Sequence, residues 1–546
     1  MARSIHQAEA TAPLTLTIAS AIAKHLAAVG VQRIYGLPGG EMLDLLEACR
    51  QEGIEFILTH HESAAAFMAA AEGRYRRAPS ACIATLGPGA TNMVSGVAHA
   101  YLDRCPVIAI SASTSISFRD DHTHQNLQLD RLFRSITKRS AVLEPETAPS
   151  VIAESVALAA SEPFGPVSLH VPRDLAMAEV SEEPVTIGPP MTSPAGDLSL
   201  QELADRLNGA KAPLVVIGLA TPPEATEDVR RFVEAYRAPV GVTPKVKGIV
   251  DETQPLFAGV YGGVMAESIV TEFMAGRDLV FCLGLDPTEV DIDWLGQERF
   301  VWLQPSLNID QTALPRATHV SDLSSGLSQL LPMLNTSFED GPKDAANVRQ
   351  ALRERLETAI PADLSEMSPL RTLDALAQAW PASDPVCCDV GAHKLLISQC
   401  WPSSMPNRFF ISNGLSSMGY GISAPIALHL ASDGLPVLAV IGDGGLLMYA
   451  GELETAARLG AHVMFVVFFD GTLALIERSQ TRLGYPMYGM HFRSPDVHAL
   501  GRAFRIPTSM VTNEAALIAA VEDFRHGEGP ALVAVSIDPR EYHQQG

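Results

Sequence analysis

Ala439-Val-Ile-Gly-Asp-Gly-Gly-Leu-Leu-Met448 reads as a buried strand that runs out onto a glycine-flanked aspartate and turns directly into a helix. Gly442 and Gly444 let the backbone approach a ligand closely. The first turn of the following helix offers unpaired N–H groups to an anion such as a phosphate. A second apolar strand, Val463–Phe469 (VMFVVFF), ends on Asp470-Gly471-Thr472. Two acidic side chains, Asp443 and Asp470, are therefore expected at one edge of one sheet, where hard oxygen donors suit Mg²⁺ or Ca²⁺ bridging to phosphate oxygens. The Gly-Asp-Gly turn alone is better explained by Asp443 capping a helix.

Working outward, short β-rich runs alternate with helical stretches along the whole chain, for example at 81–86, 107–111, 214–218, 279–284 and 437–441. Such alternation predicts parallel sheets covered by helices on both faces. Two polar, Pro-containing stretches read as linkers, 182–195 (EEPVTIGPPMTSPA) and 334–348 (LNTSFEDGPKDAANV), with a further polar stretch at 361–369. The expected organisation is three doubly wound α/β domains over residues 1–185, 196–335 and 360–546. The first and last echo each other. Phe56-Ile57-Leu58 precedes the turn at Gly87 by 31 residues counted from Phe56, and Phe410-Ile411 precedes the turn at Gly442 by 32 counted from Phe410. Two similar halves with glycine turns at strand C-termini suggest a duplicated domain flanking a ligand, since that edge is where open α/β sheets bind.

The composition bounds the partners. The chain has 546 residues, with 39 Lys plus Arg against 62 Asp plus Glu, a net charge of −23. That field argues against nucleic acid and against anionic membrane surfaces. The run VMFVVFF is far too short to span a bilayer, and MARSIHQAEATAPLT carries no apolar secretory core. Seven cysteines without a Cys-x-x-Cys spacing, two of them adjacent at Cys387 and Cys388, suit neither zinc nor an easy disulfide. A reduced, cytoplasmic protein is expected.

Several segments together resemble the thiamine-diphosphate enzymes. The Gly-Asp-Gly turn followed 27 residues later by an oxygen-bearing side chain at a strand end is similar to that family's metal–diphosphate motif. The resemblance implies Mg²⁺ held by Asp443, Asp470 and the carbonyl of Thr472, with Asp470 standing where Asn is usual. Leu58-Thr-His-His-Glu-Ser-Ala-Ala-Ala65 with Gly87-Pro-Gly-Ala-Thr-Asn92 resembles the "HE…A" and "GPGATN" pair of the acetolactate synthase group. There the glutamate, here Glu62, hydrogen-bonds the aminopyrimidine and drives formation of the ylid at C2. Standing alone, Glu62 would be read as a favourable charge at a helix start.

Asp389-Val-Gly-Ala-His-Lys394 resembles "DVGQH", Ser412-Asn-Gly-Leu-Ser-Ser-Met-Gly-Tyr420 resembles "GGLGTMG", and Gly36-Leu-Pro-Gly-Gly-Glu41 resembles "GxPGG". The cofactor contacts so implied are Glu62, Pro38, Gly39, Gly87, Asn92, Gly391, Ala392, His393, Ser416, Met418, Gly442, Asp443, Gly444, Gly445, Asp470, Thr472 and Leu473, with Met418 wedged between the two cofactor rings. Because Glu62 and the diphosphate motif lie on different domains, the resemblance also implies a site shared by two subunits of a homodimer or homotetramer.

The expected activity is decarboxylation of a 2-oxo acid, with the enamine either protonated or ligated to a second carbonyl. Alternatives are a non-ligating decarboxylase or 2-hydroxyacyl lyase, and a cofactor-binding protein without catalysis. His124, Gln125 and Glu477 are the candidate proton-transfer groups. His124-Gln125 and Leu475-Ile-Glu-Arg-Ser-Gln480 resemble segments of carboxyethylarginine synthase, although loop histidines are often simply solvated. Ser479 replaces the Trp usual in acetolactate synthases. Gly284-Leu-Asp-Pro-Thr-Glu289 lacks the Arg of their flavin-contacting "GARFDDR", so FAD is not expected. Lys245 and Lys247 read as surface charges, with a phosphate contact as the alternative.

Overall fold

A computed structural model describes residues 16–119, 121–181, 198–289, 294, 297–305 and 316–545. It contains three six-stranded sheets in which every pairing is parallel. The first sheet runs, in spatial order, Glu55–Leu58, Arg33–Gly36, Ser80–Ala84, Val107–Ser113, Val167–Pro172 and Arg139–Val142. The third runs Phe409–Ile411, Val386–Cys388, Val437–Gly442, Val463–Phe469, Ala531–Ser536 and Thr508–Val511. Both follow the order 2-1-3-4-6-5 within their own domain, so the echo between the two ends of the sequence is a shared topology. The middle sheet, from Ala317–Val320 through Phe300–Pro305, Leu279–Leu283, Pro213–Ile217 and Val240–Val242 to Phe257–Val260, has the dinucleotide-type order 6-5-4-1-2-3.

Val463–Phe469 lies between two other strands with helices on both faces, and all seven of its side chains are buried. This is why the run is continuously apolar rather than alternating. The helix Glu62–Arg76 follows the same logic: every residue from Glu62 to Gly73 is buried. Its small side chains admit close neighbours, and Gly96 of the helix Pro88–Leu102 leaves no room for a Cβ against Ala66. Phe67 meets Tyr420 of the helix Tyr420–Ala431 edge to face at 5.9 Å, so the first and last domains share one core.

Two sequence expectations are corrected. Residues 341–358, of which 341–348 are expected to be linker, form the 18-residue helix Gly341–Thr358. Gly341-Pro342 opens this helix rather than breaking one, because proline in the first turn gives up an N–H that would have no intrahelical partner. Lys245 and Lys247 are not surface charges; they are 4% and 2% exposed and buried between domains. Lys245 Nζ lies 2.8 Å from Asp103 of the first domain, and Lys247 Nζ lies 2.7 Å from Glu252, whose carboxylate also takes the Ser403 amide of the last domain. The stretch 182–195, residue 120 and the first 15 residues lie outside the described residues. Among those described, no helix is long and apolar enough to cross a membrane. All seven cysteines are free thiols, six of them buried.

Candidate active site

The predicted residues gather at the C-terminal edges of the first and third sheets. In the first, Glu62 opens its helix behind His61, whose Nδ1 accepts the Ser63 amide at 3.1 Å. Glu62 is 6% exposed, and its Oε2 accepts a hydrogen bond from Asn92 Nδ2 at 3.0 Å. Gly87 has φ +62° and caps the helix that carries Asn92. Gln125, itself at φ +57°, covers Gly87 closely enough that a Cβ there would lie 3.0 Å from its own Cβ. Gly39 packs against Thr85, just ahead of Gly87, while Pro38 is exposed. His124 is exposed on the loop, and no side-chain partner holds it among the described residues.

The third sheet brings four strand tips together. Asp443 is 2% exposed, and its Oδ2 accepts from Gly471 N at 2.9 Å and Ser494 Oγ at 3.0 Å. Burial raises its pKa. Asp470 Oδ1 accepts the Thr472 amide at 3.0 Å. Burial, then the neighbouring Asp443 charge, push the Asp470 carboxyl up to about 7. Two carboxylates that repel each other in this way form a place where a divalent cation is favourable.

Next to them, a Cβ on Gly444 would meet Met418 Cε at 3.2 Å, Leu473 Cδ2 at 3.3 Å and Phe492 Cζ at 3.5 Å. His393 covers Gly391 and Gly442. Its Nε2 is buried without a hydrogen-bond partner, and burial lowers its pKa to about 4, so the imidazole is neutral. Ala392 is buried beside it and begins the helix Ala392–Cys400.

Glu477 lies on the helix Ala474–Leu483. One carboxylate oxygen has no hydrogen bond, and the other is 3.7 Å from His543 Nε2. Ser479 turns its hydroxyl back onto Leu475 O at 2.8 Å.

Sequence reasoning missed the groups that hold this edge in place. Glu452, 1% exposed, accepts the amides of His60 at 2.8 Å and His61 at 3.1 Å, so the last domain positions the turn that presents Glu62. Asp389 accepts Gly419 N at 2.8 Å and Gly421 N at 3.1 Å, and burial pushes its carboxyl up to about 6. Its other oxygen lies where a side chain on Gly445 would have to go. Gly445→Ala should therefore displace Asp389 and the loop it holds. The expected result is a loss of about 1–3 kcal/mol of folding stability from overpacking, read by denaturant unfolding. Unchanged stability would show that the contact yields freely.

Paired carboxylates, a neutral histidine and a glycine cradle thus stand at the strand tips of one parallel α/β sheet, beside a duplicate sheet bearing a buried glutamate, an edge of the kind at which such sheets bind charged ligands. Comparison with known families says to which class of protein this arrangement belongs. The profile described as thiamine pyrophosphate enzyme, N-terminal TPP binding domain, matches residues 16–132; the central domain matches 200–330, and the C-terminal TPP binding domain matches 389–535. The chain belongs to the thiamine-pyrophosphate-dependent enzymes, in the acetolactate synthase-like group. It is 27% identical over 522 residues to the acetolactate synthase of Bacillus subtilis, covering 93% of this chain and 91% of that one. It is 29% identical to the acetolactate synthase isozyme 2 large subunit of Escherichia coli, over 94% of each. It is equally 29% identical to the probable 2-ketoarginine decarboxylase of Pseudomonas aeruginosa, over 90% of this chain and 88% of that one.

Proposed function

We propose that this chain is a thiamine-diphosphate- and Mg²⁺-dependent enzyme that decarboxylates a 2-oxo acid. The observation that carries the reading is the pair of matching sheet edges, one presenting Glu62 and the other Asp443 with Asp470. The residues present fit the cofactor: the cradle over Gly444, the unpartnered Nε2 of His393 and the unpartnered hydroxyl of Thr472 are the features expected where a diphosphate and its metal sit. Asp443, Asp470 and the Thr472 carbonyl would hold Mg²⁺. The amides after Gly442, with Gly391, Ala392 and His393, would hold the diphosphate. Ser416, Met418 and Leu473 would flank the rings on this side, while Pro38, Gly39, Gly87 and Asn92 would frame Glu62 on the other. Bound thiamine diphosphate supplies a nucleophilic carbon and an electron sink, which loss of CO₂ from a 2-oxo acid requires.

Glu62 would hold the proton that fixes the tautomer of the aminopyrimidine, kept in place by Asn92 and by the Glu452-bound turn. Gln125, over Gly87, would line the reaction space. His124 and Glu477 would exchange protons with the substrate. Leu43, near Gly39, and Leu447 and Met448, after Asp443, are large apolar side chains left 59%, 46% and 58% exposed. Their place beside both motifs supports a second copy completing the site in a homodimer or homotetramer.

A flavin is not part of this proposal. At the switch point of the middle sheet, Glu289 Oε2 accepts the Leu219 amide at 2.7 Å, and Asp286 is engaged by Arg104 at 3.0 and 3.2 Å. An anionic dinucleotide would meet a carboxylate where it needs a free amide.

Pyruvate turnover with thiamine diphosphate and Mg²⁺, followed by NMR, tests the reading. Acetolactate would establish ligation. Acetaldehyde with CO₂ would establish simple decarboxylation, which Ser479 favours because it stands in place of the Trp that acetolactate synthases usually carry. With no turnover of pyruvate, branched, aromatic and guanidino 2-oxo acids are tried in turn, and inertness toward all of them would overturn the proposal.

A further inference from the structure

The loop from Ile411 to Gly419, which carries Met418 over Gly444, is gripped along its length by buried charged groups from all three domains. Lys245 Nζ, from the middle domain, donates to Ile411 O at 3.0 Å and to Asp103 Oδ2 at 2.8 Å. Asp103, from the first domain and 1% exposed, accepts Gly414 N at 2.6 Å and Asn413 N at 3.2 Å. Lys394, from the last domain and 5% exposed, donates to Ser412 O at 3.1 Å and to Ser416 Oγ at 3.0 Å. Ser412 Oγ takes the Ser417 amide at 3.1 Å and meets His99 Nδ1 at 3.0 Å. Ser416 is held at φ +53°, a left-handed conformation that a non-glycine residue keeps only when its surroundings enforce it.

The buried inter-domain pair Arg104–Asp286, and the middle-domain pair Lys247–Glu252 whose carboxylate takes the Ser403 amide of the last domain, already join the middle domain to its neighbours without touching this loop. Docking alone therefore leaves the Lys245–Asp103 contact unexplained. Asp103 also directly follows the helix Pro88–Leu102, whose first turns carry Asn92, the partner of Glu62. One rigid helix thus runs from the Asn92–Glu62 contact to the residue that holds the Met418 loop.

We propose that Lys245 is a positioning residue: acting through Asp103, it sets the height of the Met418 loop over Gly444, and this is what the middle domain contributes to the reaction. The inference rests on the thiamine-diphosphate reading for its chemistry but not for its geometry. The test is the double variant Lys245→Met/Asp103→Asn, which removes both charges together and so leaves no unpaired ion in the interior. Its control is Lys247→Met/Glu252→Gln, an equally buried pair at the neighbouring domain junction.

In protein without cofactor, amide hydrogen exchange at Asn413 and Gly414 should quicken about tenfold or more in the first variant only. With thiamine diphosphate bound, exchange of its C2 proton should slow about tenfold, because small displacements of positioning groups cost rate steeply. Cofactor affinity should stay within about threefold, since the diphosphate and metal groups are untouched. Both variants should lose thermal stability. Equal C2 exchange in the two variants, or unchanged amide exchange in the first, would reduce Lys245 to inter-domain glue and overturn the proposal. Failure of the wild-type protein to bind thiamine diphosphate would instead overturn the functional reading, while amide exchange still judged the clamp. If the double variant does not fold, Lys245→Gln/Asp103→Asn, which keeps a donor and an acceptor but neither charge, is read in the same way.

Discussion

Glu62→Gln is expected to bind thiamine diphosphate about as well as the wild-type protein while exchanging the C2 proton of the bound cofactor about 10²–10⁴-fold more slowly, the usual contribution of a positioned acid or base. The substitution keeps the volume of the side chain and an oxygen that can accept from Asn92 Nδ2, so the start of the helix Glu62–Arg76 should be undisturbed. What it removes is the capacity to hold or release a proton. Deuterium exchange at C2, quenched in acid and read by NMR, measures this independently of which substrate the enzyme takes. Exchange at the wild-type rate would strip Glu62 of its assigned role. Loss of cofactor binding instead would show that the carboxylate is a binding contact.

The parts of this molecule that announced themselves in the sequence are those in which one short segment carries both the fold and the chemistry. The run Val463–Phe469 ending on Asp470, and the strand 437–442 ending on Asp443, are complete in themselves: the apolar length gives a central strand, and the residue after it marks the edge where a ligand is proposed. The duplicated topology was legible for the same reason, since strand and turn recur at matched spacing.

The groups that orient these residues act across hundreds of positions and leave no local pattern. Glu452 caps amides at 60 and 61, Asp103 takes amides at 413 and 414, and Lys245 reaches both Asp103 and residue 411. A lysine in a polar, Pro-Lys-Val-Lys-Gly stretch looks solvated until the partner that neutralises it is in view. The helix Gly341–Thr358 escaped notice for a different reason. Its mean character is polar, and beyond Gly341 only a stripe formed by Ala345, Val348, Leu352 and Leu356 is buried, so the Gly-Pro at its start is the strongest local signal.

Asp443→Ala should abolish the dependence of cofactor binding on Mg²⁺, and this is the second large effect expected. The wild-type carboxylate organises its surroundings through the Gly471 amide and the Ser494 hydroxyl, and its charge helps hold the Asp470 carboxyl near 7. Removing it leaves one acidic side chain at the edge, lowers the repulsion there, and lets the Asp470 carboxyl fall back toward the ordinary range. The empty protein should accordingly remain folded, because a like-charge contact has been relieved at the cost of two hydrogen bonds. A cation held as proposed would, however, lose one of its two carboxylate donors. Even outer-shell partners of a metal typically affect affinity 10–100-fold, so loss of a direct donor should weaken thiamine diphosphate binding in Mg²⁺ by about 10²-fold or more. Binding measured with Mg²⁺ and with EDTA should then converge for the variant while differing widely for the wild type. Asp443→Asn, which keeps an oxygen in the same place without its charge, should fall between the two. If the alanine variant binds as tightly as wild type in Mg²⁺, the cation is held elsewhere and the carboxylate is only a structural acceptor for the turn at Gly471. Convergence upon chelation, with Asn intermediate, would tie the charge of Asp443 to the metal.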